Sequence, residues 1–245
     1  MKNVSFQSRL SINILCIETS TDVCSVCISR DDEIMGLNEF KEFRHSSHLL
    51  PLILSSLEEA GMPQSDLDAI CISKGPGSYT GLRVGASTAK GWAFALDLPL
   101  LGIDTLLSLA NGLLLAQREI PPHSVIMPMI DARRNEVYTS LYTLGLECLF
   151  PTQPMILDES FLDFISEERD YYICGNGAHK AAVLTQNMNN VHIIPTEATA
   201  HSLCALSQKS YSKKAFEILD HFEPNYLKAP NITKSKSQLQ IKANL

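Results

Sequence analysis

The amino-acid sequence predicts an α/β protein made of two successive halves, and three observations indicate this fold class. Three short strand-like segments, separated by turn-prone residues, open the ordered part of the chain. A helix, a strand and a second helix with clear apolar periodicity follow them. The pair Pro121-Pro122 then marks a boundary, after which strand-like and helical segments begin again. We therefore expect two mixed sheets flanked by helices.

The first segments of this pattern predict a meander of three strands. Apolar runs at residues 12–18, 24–29 and 33–40 have the length and composition of strands. The turn-prone segments 19–22 and 30–32 separate them. Turns this short join strands that are neighbours and antiparallel, so one compact sheet is expected.

The rest of the first half predicts alternating helices and strands. A helix is expected from about Ser46 to Ala60, because its leucines recur at helical spacing and Gly61 follows as a stop signal. A short strand at 68–73, a glycine-rich loop at 74–81 and a helix at 82–96 come next. A strand at 100–103 and a helix at about 105–117 complete the half.

The second half is expected to contain strands at 124–131 and 136–142, followed by mixed strand and helix up to Tyr226. The predicted domain division is a loose N-terminal extension at 1–11, an N-terminal domain at 12–118, a C-terminal domain at 119–230 and a flexible polar tail at 231–245.

Composition excludes some classes of function. The formal net charge of −7 and the weak clustering of basic residues disfavour autonomous nucleic-acid binding, which normally needs a basic face. The apolar runs are far shorter than the ~20 residues that cross a bilayer. Of the seven cysteines, five lie in apolar, strand-like stretches and are expected to be buried free thiols: Cys16, Cys24, Cys27, Cys71 and Cys174. Cys24 and Cys27 should point to opposite faces of their strand, which favours packing over redox or zinc chemistry. A cytoplasmic protein without a membrane segment is expected.

The turn Glu18-Thr19-Ser20-Thr21 is a candidate phosphate turn, since an acid and hydroxyls leave the first strand together. No glycine is present there to allow close backbone approach to a phosphate. We favour a hydrogen-bonded turn in which the hydroxyls bind local backbone groups, with a vestigial phosphate turn as the alternative.

The glycine-rich loop is the most informative segment, and its candidate residues are Gly75, Pro76, Gly77, Ser78, Tyr79, Thr80 and Gly81. Its glycines permit positive φ before a helix N-terminus, where free N–H groups can bind an anion. The spacing matches neither a P-loop nor G-x-G-x-x-G, so it is weak evidence for nucleotide binding.

Small residues form a stripe on the following helix at Gly85, Ala89 and Ala93, with Trp92 beside it. If buried, the stripe is ordinary helix–sheet packing. If exposed, it forms a flat apolar patch for a partner, together with the preceding helix.

Metal and nucleophile chemistry have little support. His45 and His48 are three residues apart, but a closed zinc site needs four ligands, so Ser46 and Ser47 are better interpreted as N-cap residues. The charged segment from Asp131 to Tyr138 is interpreted as ordering a strand connection, and the short Cys174-Gly175-Asn176-Gly177 is a weak second phosphate loop.

Five motifs together resemble the TsaB (YeaZ) family, and the resemblance covers about residues 12–228. They are Ile17 to Thr21, His45-Ser46 with Leu49-Leu50-Pro51, Gly75 to Gly85 (GPGSYTGLRVG), Asp131 to Arg133 with Glu136 to Tyr138, and Pro224 to Leu227. The glycine-rich block is the specific part.

The resemblance implies a two-domain fold of the actin and sugar-kinase kind and a non-catalytic scaffold role. Such proteins pair with TsaD, which transfers threonylcarbamoyl to N6 of adenosine 37 in tRNAs reading ANN codons, and the ATPase TsaE joins them. The isolated subunit would need no cofactor, since ATP and metal belong to the partner subunits. A homodimer is expected when it is alone, and tRNA contact only through the complex. The alternative is a nucleotide-dependent phosphotransferase of the same fold.

The resemblance also implies a partner surface on the two helices of the first half. Its candidate residues are Leu50, Ile53, Leu54, Leu57, Leu82, Arg83, Gly85, Ala86, Ala89 and Trp92.

Overall fold

The computed structural model describes residues 11–31, 33–41, 45–117 and 119–228. The predicted tail and residues 1–10 of the predicted extension lie outside these ranges. No helix in the described residues is both long enough and apolar enough to cross a membrane.

The first sheet has five strands in the order β3-β2-β1-β4-β5. The first three form the predicted antiparallel meander, and β4 and β5 extend the sheet in parallel on the other side of β1. The strands are β1 (Asn13–Glu18), β2 (Val23–Arg30), β3 (Glu33–Lys41), β4 (Ala69–Ser73) and β5 (Leu100–Ile103). Cys24 and Cys27 lie in different core clusters, so the prediction that they point to opposite faces is confirmed.

Three helices follow the strands of this half: α1 (His45–Glu59), α2 (Tyr79–Leu96) and α3 (Thr105–Ala116). Helix α2 begins earlier than expected, because the Ser78 hydroxyl caps it by accepting a hydrogen bond from the Gly81 amide at 3.3 Å. The prediction of a loop up to residue 81 is therefore wrong for Tyr79, Thr80 and Gly81, which form the first helical turn.

The second sheet repeats the arrangement of the first. Its order is β10-β9-β6-β7-β8, so β6 has an antiparallel meander on one side and two parallel strands on the other, as β1 has. The elements are β6 (Val125–Asp131), β7 (Glu136–Thr143), β8 (Cys148–Ile156), β9 (Tyr171–Cys174), α4 (Ala178–Leu184) and β10 (Val191–Ile194). This repetition confirms the two-part actin-like α/β fold.

The elements stack in layers around four apolar clusters. Helices α1 and α2 cover one face of the first sheet. Helix α3 packs between the sheets, where Leu106, Leu109 and Leu113 contact strands of the second. Helix α4 and a 3₁₀ segment cover the outer face of the second sheet.

The chain returns to the first sheet after β10. The 3₁₀ turn Ala200–Leu203 and helix α5 (Cys204–Ser212) pack on its inner face against β1 and β5. Farther on, Phe222 lies in the core between the first sheet and α2. The predicted domain division after residue 118 stays a prediction. The segment after β10 packs on the first sheet, and this contact connects the two halves.

Candidate functional site

A cleft of about 1030 Å³ lies between the two halves. One wall consists of the turn between β1 and β2 and the start of α2. The opposite wall is the turn between β6 and β7, and the segment Asn225 to Lys228 closes one side. The glycine-rich loop and the candidate phosphate turn therefore meet at one place.

The first residues of the β1–β2 turn are buried, although Ser20, Thr21 and Asp22 line the cleft. Glu18, Thr19 and Ser20 are buried, and the amide of Ser20 donates to Glu18 Oε1 at 2.7 Å. The hydroxyl of Ser73 donates to the same oxygen at 2.6 Å. Burial raises the pKa of Glu18, although these hydrogen bonds oppose the effect. The prediction that the hydroxyls of this turn bind local backbone groups is confirmed for Thr21, whose Oγ1 accepts from the Val23 amide at 3.3 Å, but it is wrong for Thr19 and Ser20, whose hydroxyls have no hydrogen-bond partner among the described atoms.

The glycines of the loop make room for this turn. A Cβ built on Gly77 would lie 2.3 Å from the carbonyl oxygen of Ser20, and one on Gly81 would lie 2.1 Å from that of Thr19. A Cβ on Gly85 would lie 2.2 Å from Thr19 Oγ1. Real Cβ atoms do not approach so closely. These three glycines at four-residue spacing are therefore needed for close packing of the turn against α2.

The start of the loop is held to the C-terminal segment. Gly75 has a φ of +103°, and a Cβ on it would lie 2.9 Å from the carbonyl oxygen of Asn225. The amide of Asn225 donates to the Lys74 carbonyl at 2.6 Å. The rings of Tyr226 and Tyr79 pack with centroids 4.8 Å apart. The segment after Phe222 thus runs along the loop toward the second half.

The β6–β7 turn carries the two arginines of the cleft, and sequence reasoning missed its place in the site. Arg133 and Arg134 have φ values of 70° and 51°, and both are exposed. Asp131 is paired with Lys180 at 2.5 Å and accepts the Arg133 amide at 2.6 Å. This turn follows the central strand of its sheet, as the β1–β2 turn does in the first. Recognising the repeat would have found it.

The weak second phosphate-loop candidate, Cys174 to Gly177, packs against the β6–β7 turn. The side chain of Asn176 accepts a hydrogen bond from the Asp131 amide at 2.9 Å. A Cβ on Gly177 would lie 3.0 Å from the same amide nitrogen. This segment therefore packs under the β6–β7 turn.

The two histidines at the start of α1 have different surroundings. His45 is buried, and desolvation lowers its pKa against the opposing effect of hydrogen bonds with the backbone of Val23 and Thr21. His48 stacks on Phe40 with ring centroids 3.7 Å apart. The interpretation of Ser46 and Ser47 as N-cap residues is wrong, because α1 begins at His45. Within the described residues, no group of three or more His, Cys, Asp or Glu side chains could hold a metal ion.

The predicted partner surface divides into buried and exposed residues. Leu50, Leu54 and Arg83 are exposed, and Trp92 is partly buried. The other six candidates are buried against the first sheet: Ile53, Leu57, Leu82, Gly85, Ala86 and Ala89. Their assignment to a partner surface is corrected, because an apolar stripe on a sheet-packed helix faces its own core.

The exposed face of these helices contains residues that the sequence prediction did not include. Helices α1 and α2 lie side by side, with Leu50 and Leu54 exposed by 51% and 54%. On α2, Ser87, Gly91 and Phe94 are exposed, and Phe94 reaches 79%. We call Leu50, Leu54, Arg83, Ser87, Gly91 and Phe94 the outer helix face. The signal that could have found the omitted residues is that Ser87, Gly91 and Phe94 lie at helical spacing opposite the small-residue stripe of α2.

Comparison with known proteins gives consistent results at three levels. The family model for TsaD, described as tRNA N6-adenosine threonylcarbamoyltransferase, matches residues 39–236. A Haemophilus influenzae protein named tRNA threonylcarbamoyladenosine biosynthesis protein TsaB is 38% identical over 130 residues, which cover 53% of each chain. The Bacillus subtilis protein of the same name is 35% identical over 162 residues, 64% of this chain and 67% of the relative.

A solved structure described as YeaZ from Pseudomonas aeruginosa superposes with a TM-score of 0.71 at 25% identity, covering 88% of this chain and 100% of that one. A second structure from the same organism, described as similar to the peptidase YEAZ, has a TM-score of 0.73 at 26% identity, with 89% and 100% covered. The aligned part of the chain spans about half the length of the H. influenzae relative. Sequence and structure agree: the chain belongs to the TsaB (YeaZ) family.

Proposed function

We propose that this protein is the non-catalytic subunit of an assembly that transfers threonylcarbamoyl to N6 of adenosine 37 in tRNAs reading ANN codons. Its catalytic partner is a TsaD-like subunit, and a TsaE-like ATPase joins the complex. The names of the bacterial relatives support the pathway. The observation that carries the subunit role is the outer helix face, which presents apolar side chains to solvent.

The outer helix face has the composition of a contact surface. Leu50, Leu54 and Phe94 are each at least half exposed, and large apolar side chains grouped on one face favour association. Arg83 supplies a cation beside them, its guanidinium carbon 5.4 Å from the centroid of the Tyr79 ring. Aromatic and arginine residues are enriched in interface cores.

Gly91 adds an independent argument for close approach by a partner. A Cβ built on it meets no atom within 4 Å, so the fold of this chain does not require glycine there. Glycine in a helix interior costs about 1 kcal/mol relative to alanine. An exposed glycine in the middle of α2 leaves room for another helix to pack against the backbone.

We assign the same face to self-association and to the contact with the TsaD-like subunit. When the subunit is alone, the face would pair with a second copy, and the TsaD-like subunit would replace that copy in the complex. ATP and metal would be bound by the partner subunits. All of these steps would take place in the cytoplasm.

The buried start of the β1–β2 turn supports a non-catalytic role. Thr19 and Ser20 lie beneath the glycines of α2, and the Ser78 amide already donates to the Ser20 carbonyl at 2.6 Å. Asp131, the acid at the matching position in the second half, is bound by Lys180. These contacts engage Glu18 and Asp131, the acids that end the two central strands, and they weigh against the phosphotransferase alternative, which needs an open turn for the phosphates.

The interface is tested by copurification with the TsaD-like subunit of the same organism. Leu54→Asp should abolish the complex while the far-ultraviolet circular dichroism spectrum stays unchanged, because Leu54 is exposed. Leu115→Asp is the matched control, since Leu115 is a leucine of similar exposure on α3. Retention of the complex by Leu54→Asp at wild-type affinity would contradict the proposed surface.

A further inference from the structure

The cleft contains binding groups that the partner surface does not use. Arg133 and Arg134 stand on one wall, and no ion pair with an acid is found for either within the described ranges. The nearby acids are already neutralised, Asp131 by Lys180 and Glu136 by Lys228. Apart from Asp22 on the opposite wall, the charge left available in the cleft is positive. This contrasts with the net charge of −7 for the chain.

The opposite wall offers hydrogen-bond donors. The cleft is lined by Ser78, Tyr79 and Thr80, where α2 begins, and α2 has 18 residues. The amides of Tyr79 and Thr80 have no acceptor inside the helix, since they belong to its first turn. The positive end of the helix dipole lies at the same place.

An unpartnered buried hydroxyl marks the same position. Ser20 lines the cleft and is 1% exposed, and its Oγ, which lies near the Glu18 carboxyl, makes no hydrogen bond of normal geometry among the described atoms. Buried polar atoms in proteins are almost always hydrogen-bonded. The α2 amides and the two arginines place donors on both walls of the cleft, and the buried Ser20 hydroxyl lies next to the α2 wall at Gly77.

We propose that this cleft binds a phosphodiester group of the RNA strand, an inference that rests on the proposed function. A phosphodiester carries one negative charge, which two exposed arginines and a helix N-terminus can balance. A free nucleoside triphosphate carries about four, and of the cleft acids that could hold its counter-ion Asp131 and Glu136 are ion-paired, which leaves Asp22. Tyr226 is exposed beside the site and offers a ring on which a base can stack.

The contact is an auxiliary one. Two arginines are too few for stable RNA binding by an otherwise acidic chain. In the complex, however, the RNA is held mainly by other subunits, and the cleft adds phosphate contacts to an already bound strand. The expected effect is a change in the affinity of the whole assembly.

The test is equilibrium binding of an unmodified tRNA transcript to the assembled complex at several KCl concentrations. The double variant Arg133→Ala/Arg134→Ala should weaken binding roughly tenfold at low salt. It should also lower the slope of log affinity against log salt by roughly 0.7 for each phosphate that the arginines no longer neutralise. Arg169→Ala, which removes an exposed arginine outside the cleft, should change neither quantity.

Two results would overturn the inference and keep the proposed function. One is a double variant that assembles and binds tRNA with unchanged affinity and salt dependence. The other is binding of ATP or AMP to the isolated chain that the double variant loses, which would make the cleft a nucleotide site. Failure of the wild-type chain to assemble with the TsaD-like subunit, measured by size-exclusion chromatography, would refute the proposed function and the inference together.

Discussion

The packing of α2 on the β1–β2 turn makes a quantitative prediction for Gly85. Alanine at this position would gain about 1 kcal/mol of helix propensity. Its Cβ would, however, lie 2.2 Å from Thr19 Oγ1 and 3.0 Å from Ile72 Cδ1. Thr19 is buried and short, so it cannot move aside cheaply. Overpacking of this kind costs about 1–3 kcal/mol or more.

Gly91 provides the matched control in the same helix. Its substitution by alanine gains the same helix propensity and meets no atom within 4 Å. We therefore expect Gly91→Ala to raise the free energy of unfolding by about 1 kcal/mol. The free energy of unfolding of Gly85→Ala should be about 1–3 kcal/mol lower than that of Gly91→Ala. For a chain of this size, each kcal/mol corresponds to about 2–4 °C in Tm.

The assay is urea denaturation followed by circular dichroism, with the midpoint and slope determined for both variants and the wild type. A urea midpoint for Gly85→Ala that is lower than the midpoint for Gly91→Ala, with an unchanged slope, would confirm that Gly85→Ala has the less stable native state. If Gly85→Ala and Gly91→Ala stabilised the protein equally, the turn would not be packed against α2 as described. The structural explanation of the glycine spacing would then be wrong.

Three further predictions concern the buried acid, the cysteines and the outer helix face. Burial raises the folded-state pKa of Glu18 above its unfolded value, so stability should fall as pH rises from that unfolded value through the folded one. Urea denaturation at several pH values should show the free energy of unfolding of Glu18→Gln rising relative to that of the wild type as pH increases, by at most about 1.4 kcal/mol per pH unit. A difference that stays constant with pH would contradict this. Cys148 is the exposed cysteine and the other six are buried, so a thiol reagent should label one group rapidly in the native protein and seven after unfolding. Rapid labelling of Cys148→Ser would contradict the described burial. Gly91→Leu should leave the subunit folded and weaken its complex with the TsaD-like partner at least tenfold, and an unchanged affinity would remove Gly91 from the interface.

Much of the fold could be predicted from the sequence because local signals agreed with one another. The meander residues 12–40 and the helix stop at Gly61 each carry a signal within a few residues. The start of α2 was predicted too late, since the hydroxyl of Ser78 rather than an apolar residue begins that helix.

The site was harder to predict because it depends on which face of each element is covered. Gly85 and Ala89 form a small-residue stripe that fits either a partner or a sheet, and only the packed structure shows that the sheet covers it. Arg133 and Arg134 lie in a charged segment whose local pattern predicts only a strand connection. Their position follows from the repetition of one sheet topology in the other half, which pairing between distant strands establishes.

The central claim is that this subunit supports threonylcarbamoyl transfer without catalysing it, and reconstituted transfer to tRNA tests this most directly. The assay contains the TsaD-like and TsaE-like proteins of the same organism and threonylcarbamoyl-adenylate, with and without this chain. We predict that transfer requires this chain, is absent with this chain alone, and is lost with Leu54→Asp but kept with Leu115→Asp. Full transfer without this chain, or transfer by this chain alone, would contradict the proposal.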